Sequence, residues 1–131
     1  VVRNANAFLA AGVHIIGRRR WNRRGAMVTD RYQHVTYHPK IEDMLTWADS
    51  EAIPLIGVDN LPGSVPLETV SLPKECVLVV GQEGPGLSLT TQNACSMVCS
   101  ISQYGSTRSI NAGVASGIAM HTWIRQHAEI N

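Results

Sequence analysis

The sequence predicts an α/β domain built on a mainly parallel sheet with helices on both faces. Short apolar, often β-branched runs at Val13 to Ile16, Ile53 to Val58, Val77 to Val80 and Met97 to Ile101 have the length of strands. Between them lie stretches with apolar residues at helical spacing, clearest at Ile41, Met44, Leu45 and Ala48. Strands alternating with helices call for parallel pairing with crossover helices above and below the sheet. The run Val77 to Val80 has no polar residue at all, the pattern of a strand buried on both faces.

In chain order, Val1 to Ala10 reads as a helix, with Val2, Ala5, Phe8 and Leu9 at helical spacing and Gly12 as its stop signal. The strand Val13 to Ile16 ends at Gly17, and an arginine-rich loop or short helix runs to about Arg31. Val35 to Tyr37 is another short strand. Pro39 starts a helix that continues to about Ser50. The strand Ile53 to Val58 is broken by Asp59-Asn60 and Pro62-Gly63. Leu89 to Ala94 is a short helix, Met97 to Ile101 the next strand, and Gly105 to Arg108 a polar turn. The chain is then helical from Ile110 to about His127. No repeat or low-complexity tract divides residues 1–131, which read as one domain.

Composition narrows the class. The 131 residues suffice for a real core, and 44% apolar with 16% charged residues is a globular balance. No apolar run approaches the roughly 20 residues of a membrane span, and no leader of basic, apolar and small-residue segments is present. Cys76, Cys95 and Cys99 lack the neighbours of a zinc site and read as buried thiols of a reducing cytoplasm. His14, His34, His38, His121 and His127 lack ligand spacing, so no metal is expected. The net charge of +1 hides an asymmetry. Residues 1–40 hold eight Lys or Arg against Asp30 alone, whereas residues 41–131 hold three against nine acids. Arg18, Arg19, Arg20, Arg23 and Arg24 form a cluster suited to a polyanion, because neutralised phosphates release counterions. A solvated basic loop is the alternative.

Two loops carry the most information. Val79-Val80-Gly81-Gln82-Glu83-Gly84-Pro85-Gly86-Leu87-Ser88 is a strand breaking into three glycines and one carboxylate. Glycines there permit positive φ and close approach of a ligand to the backbone. The spacing matches neither the dinucleotide fingerprint nor a P-loop. Ser109-Ile110-Asn111 places two small polar side chains at the start of the last helix, where they are natural caps. In parallel sheets, ligands lie beyond the carboxyl ends of strands, and both loops stand at such ends.

Together these segments resemble the SpoU family, the knotted RNA ribose methyltransferases of the SPOUT superfamily, and the resemblance covers essentially the whole chain. Gly81, Glu83, Gly86 and Leu87 follow the family's second motif, Gly-x-Glu-x-x-Gly-Leu. Ile101, Ser109, Ile110 and Asn111 follow the third, with Ile110 where Leu is usual. Val1-Val2-Arg3-Asn4-Ala5-Asn6-Ala7-Phe8 matches the second half of the first motif, with Leu9 where Gly usually follows Phe. The first half of that motif, a strand and an Asn-x-Gly turn, would precede Val1, and its lack would leave a gap in the sheet.

The resemblance implies methyl transfer from S-adenosylmethionine to a ribose 2′-hydroxyl of tRNA or rRNA. It implies a C-terminal trefoil knot, which general folding rules make very improbable and periodicity does not reveal. It places the cofactor against the Val58-Asp59 loop, Gly81 to Gly86, and Ile101 to Ile110. Its candidate contacts are Val58, Gly81, Glu83, Gly84, Gly86, Ile101 and Ile110. Arg3, Glu83, Ser109 and Asn111 are the candidate catalytic residues. Arg3 matches the arginine at the target hydroxyl, where a guanidinium with a pKa above about 12 serves better to position than to act as a literal base. Arg108, beside Ser109, joins the arginine cluster as a candidate RNA contact, and Tyr104 is a candidate for base stacking. A homodimer is implied, for which Gly113, Ala115, Gly117 and Ala119 on the last helix would allow close approach. The rival class is a non-catalytic knotted RNA-binding protein; retention of Arg3, Glu83, Ser109 and Asn111 favours the enzyme.

Overall fold

A computed structural model of the chain describes residues 7–8, 10–16, 35–81, 85–106 and 110–128. The elements are β1 (Val13–Ile16), β2 (Val35–His38), α1 (Ile41–Ser50), β3 (Leu55–Val58), β4 (Val65–Pro66), β5 (Val77–Val80), α2 (Leu89–Ala94), β6 (Met97–Ser100) and α3 (Ala112–His127). A single 3-10 turn, Leu67–Thr69, follows β4. Most of the helix expected over 1–10 lies outside the described residues. The arginine-rich loop or short helix expected to run to Arg31 and the end of the 105–108 turn also lie outside them, and the remaining expected elements are present to within a residue or two. Only β4 and the 3-10 turn were not foreseen, and a two-residue strand leaves no periodicity to read.

Among the described residues, every strand pair is parallel. The strands divide between a β1–β2 pair and a four-stranded sheet in the order β4-β6-β3-β5. β3 is central, and all four of its residues are buried. In β5 Leu78 and Val80 pack against one cluster and Val77 and Val79 against the other, so both faces are covered, but only Val79 is buried, less than the sequence reading expects. The cause is position: β5 is an edge strand, so its apolar run is flanked by a neighbour on one side only.

Two main clusters form the core on opposite faces of the sheet. Alternate side chains of a strand point to opposite faces, and β3 obeys this: Ile56 and Val58 join one cluster, Leu55 the other. The first packs Ile56, Val58, Leu67, Leu72, Cys99 and Ala119, so α3 covers that face. The second packs Met44 and Ala48 of α1 against Leu55, Val79 and Leu87, with Ile16 of β1 at its border. α1 therefore bridges the β1–β2 pair and the larger sheet. Its first turn is fixed by Asp43, whose carboxylate accepts from the Lys40 N–H at 3.0 Å.

The C-terminal half of α3 is tied to the segment before β5. The Trp123 indole N–H donates to the Pro73 and Lys74 carbonyls, each at 3.1 Å. The Gln126 side chain accepts from Leu72 N–H at 2.7 Å and donates to the Val70 carbonyl at 2.9 Å. His127 Nε2 lies 2.6 Å from the Leu72 carbonyl. These bonds satisfy backbone groups of a segment with no ladder of its own. Among the described residues, no helix is long and apolar enough to cross a membrane.

Candidate functional site

Strand register assembles the site. Val58 of β3 stands opposite Val80 of β5 and opposite Cys99 of β6. The three strands therefore end side by side. Residues 59, 81 and 100–101 emerge along one edge of the sheet, where a parallel α/β architecture places ligands. Strand ends 22 and 41 residues apart in sequence (58 to 80 and 58 to 99) thus give neighbouring loops.

The first two loops interlock. Asp59 N–H donates to the Cys99 carbonyl at 2.9 Å, carrying the β3–β6 ladder one residue further. Its side chain turns to the glycine loop, where Oδ2 accepts from Leu87 N–H at 3.0 Å. Oδ1 accepts from Asn60 N–H at 2.8 Å. Gly86 adopts φ +71°, and a Cβ there would fall 2.4 Å from Asp59 Oδ2. A Cβ on Gly81 would fall 2.4 Å from the Gly86 carbonyl carbon and 2.5 Å from Leu87 N. The expectation of positive φ in this loop holds at Gly86. At Gly81 and Gly86 the missing Cβ atoms also let the chain pack closely against itself. Leu87 closes the loop by packing into the core, and Ser88 caps α2 by accepting from Thr91 N–H at 3.2 Å.

The third loop is anchored at its base. Ser102 N–H and its hydroxyl donate to the two oxygens of Glu68 at 2.9 and 3.0 Å. Partial desolvation pushes the Glu68 carboxyl up. The bonds from Ser102 N–H, from its own N–H and from the Ser102 hydroxyl outweigh this and hold it below its ordinary range. Gln103 Oε1 is buried with no hydrogen-bond partner. Tyr104, at the tip, is 98% exposed. At the end of the loop Asn111 caps α3, its Oδ1 accepting from Gly113 and Val114 N–H at 2.9 and 3.2 Å.

Of the residues singled out in the sequence, Val58, Gly81, Gly86, Ile101, Ile110 and Asn111 are described. Val58, Gly81, Gly86 and Ile101 stand on the three adjacent loops. Val58 is core, so any ligand contact there falls to its backbone. Ile101 packs partly on the same cluster, and Ile110 is half-buried. Arg3, Arg18, Arg19, Arg20, Arg23, Arg24, Glu83, Gly84, Arg108 and Ser109 lie outside the described residues.

One expectation needs correction. Ala119 is fully buried against the sheet and is spent inside the chain. The outward face of α3 instead carries Val114, 52% exposed, and Ile118, 38% exposed. Three features escaped the sequence reading. Asp59 was read as a strand breaker and as part of a cofactor-facing loop, but not as a clasp on the glycine loop. Glu68 gave no signal. His14 and His38, one on each strand of the β1–β2 pair, stack with ring centroids 5.0 Å apart, and their Nδ1 and Nε2 are 2.7 Å apart. Trp47 lies against His14. Among the described residues, no group of three or more His, Cys, Asp or Glu is arranged to hold a metal.

Comparison with known proteins agrees with this architecture. An uncharacterized tRNA/rRNA methyltransferase of Mycobacterium sp. (strain KMS) is 37% identical over 81 residues, 62% of this chain and 25% of that protein. One from Mycobacterium avium is 39% identical over 80 residues, 61% of this chain and 25% of its own length. The chain thus spans about a quarter of the curated relatives it matches. Among solved structures, the AdoMet-bound rRNA methyltransferase of Sinorhizobium meliloti superposes with a TM-score of 0.85 at 24% identity. That match covers 95% of this chain and 49% of that one. The AdoMet complex of the SpoU methyltransferase AviRb from Streptomyces viridochromogenes gives 0.86 at 23%, covering 96% and 53%. These likenesses establish the fold. The SpoU rRNA methylase family model matches residues 1–121, and the chain belongs to that family.

Proposed function

We propose that this chain is the methyltransferase domain of an enzyme that methylates a ribose 2′-hydroxyl of tRNA or rRNA with S-adenosylmethionine. The observation that carries this reading is the register of β3, β5 and β6, which brings the Val58-Asp59 loop and the loops of the family's second and third motifs to one edge. Family membership and the AdoMet named in two solved relatives support it.

The residues present fit such a cofactor. Gly81, Gly86 and Leu87 are held in fixed positions, and Gln103 Oε1 is a buried acceptor without a partner, able to receive an amino or hydroxyl group. Backbone groups at Val58, Gly81, Gly84, Gly86, Ile101 and Ile110, with Glu83 beside them, would hold it. When bound, S-adenosylmethionine supplies an electrophilic methyl group on a sulfonium sulfur.

The chain's own work is then positioning. A ribose hydroxyl is a poor nucleophile until its oxygen is oriented and its proton accepted. Arg3, protonated at any ordinary pH, orients the hydroxyl and an adjacent phosphate through its fork of donors. Glu83 fixes the direction of that guanidinium. Ser109 and Asn111 frame the site, and Asn111 also caps α3. The Asn111 carbonyl oxygen is committed to the helix, so its catalytic part falls to the NH2 group. Arg18, Arg19, Arg20, Arg23, Arg24 and Arg108 hold RNA phosphates, and Tyr104 offers a face for a base. In this reading the C-terminal segment threads the knot that the resemblance implies. The outward face of α3 meets a second copy in a homodimer. The three free thiols suit a cytoplasmic location.

The test begins with calorimetric titration of S-adenosylhomocysteine, with ATP as control, followed by transfer of labelled methyl to tRNA and rRNA and mapping of the modified ribose. Selective binding and a 2′-O-methyl product are expected. Arg3→Ala should abolish transfer while binding persists. ATP binding equal to that of S-adenosylhomocysteine, or a methyl group on a base, would overturn the proposal.

A further inference from the structure

We propose that Asp59 is a positioning residue that clasps the glycine loop into the shape the cofactor site needs; this rests on the S-adenosylmethionine reading above. Three contacts converge on it. Oδ2 accepts from Leu87 N–H, Oδ1 accepts from Asn60 N–H, and its own N–H is bonded to Cys99 on β6. The carboxylate is thus fastened to the rigid end of the central strand at one side and to the Gly86–Leu87 peptide at the other.

Steric fit makes the clasp specific. The Oδ2 atom occupies the space a Gly86 Cβ would need, at 2.4 Å, and Gly86 at φ +71° exposes its Cα to that oxygen. Gly86 in turn lies against Gly81, whose missing Cβ would meet the Gly86 backbone at 2.4 and 2.7 Å. The order of dependence is therefore β3, Asp59, Gly86–Leu87, Gly81. Without the clasp, Leu87 is still held by its side chain in the core, but the peptide before it loses its bond to the end of the central strand.

The chemistry requires a carboxylate. Two N–H donors arrive at two different oxygens, and Asn carries a single acceptor oxygen. Asp59→Asn must lose one bond and turn its NH2 toward an N–H that also donates. Glutamate would drive one more methylene into the space at Gly86.

The experiment compares the wild-type protein with Asp59→Asn and with Ile56→Val, a fully buried change on the same strand whose side chain packs away from Leu87. Three quantities are read: amide exchange at Leu87, affinity for S-adenosylhomocysteine by calorimetry, and affinity for RNA. Asp59→Asn is expected to exchange Leu87 N–H at least tenfold faster and to weaken S-adenosylhomocysteine binding about tenfold or more. Amides of β3 and β6 should stay protected and RNA affinity unchanged. Ile56→Val should lower the melting temperature and leave the affinity where it was. Unchanged Leu87 exchange overturns the clasp, and faster exchange with unchanged affinity overturns its role toward the cofactor. Failure of the wild-type protein to bind S-adenosylhomocysteine overturns the cofactor reading itself and is recognised because no variant is involved.

Discussion

Gly81→Ala is the substitution whose consequence follows most directly from the coordinates. The new Cβ would sit 2.4 Å from the Gly86 carbonyl carbon, 2.5 Å from Leu87 N and 2.7 Å from Gly86 Cα. All three are backbone atoms, so no rotamer change relieves the overlap. Overpacking of this kind costs about 1–3 kcal/mol, and a rigid neighbour places it near the top of that range. With roughly 2.1 cal/mol/K per residue of unfolding entropy, 131 residues give about 0.28 kcal/mol/K, so a loss of 3 kcal/mol lowers Tm by about 11 °C. Two other glycines calibrate the measurement. Gly63 has open space around it but φ +82°, so Gly63→Ala should cost about 1 kcal/mol, or about 4 °C. Gly105 has open space and no positive φ, and Gly105→Ala should be neutral or stabilise by up to about 1 kcal/mol. Calorimetric melting of the three variants gives the order directly. A Gly81→Ala protein melting within about 2 °C of wild type, or above Gly63→Ala, would refute the claim that this loop is packed against itself.

Further outcomes are expected elsewhere. The Glu68 carboxyl is depressed below its ordinary 4.5 in the folded protein. Its contribution is therefore complete above that value and is lost as pH falls through the folded one. Glu68→Gln should melt below wild type at pH 7, the deficit shrinking under acid; a deficit independent of pH would remove the Ser102 anchor as its cause. Ala52 holds φ +55° where α1 ends, a region glycine enters without strain. Ala52→Gly should raise Tm by up to about 4 °C, the gain limited by the entropy of glycine in the unfolded chain; a lower Tm would contradict the strain assigned there. Burial raises the thiols of Cys76, Cys95 and Cys99 above their ordinary value. A thiol reagent at pH 8 should label Cys99 only upon unfolding, and prompt labelling of the native protein would show that β6 opens.

The sequence alone determined the element order, because apolar runs and helical stripes are local patterns and the flanking Gly and Pro mark their ends. It also determined the family, since motif residues at Gly81 to Leu87 and Ser109 to Asn111 are read in order without knowledge of contacts. The cap at Asn111 was legible as well, because capping involves residues two or three positions apart. Burial was less so. Val77 to Val80 has the composition of a central strand and the position of an edge, and composition cannot express which neighbours a strand acquires. Likewise Ala119 belongs by size to a helix-contact stripe and by rotation about α3 to the core. Only the tertiary structure decided the pairings 28 and 34 residues apart, Asp59 with Leu87 and Glu68 with Ser102. Each depends on parallel register aligning strand ends, and register is a property of the assembled sheet rather than of any segment within it.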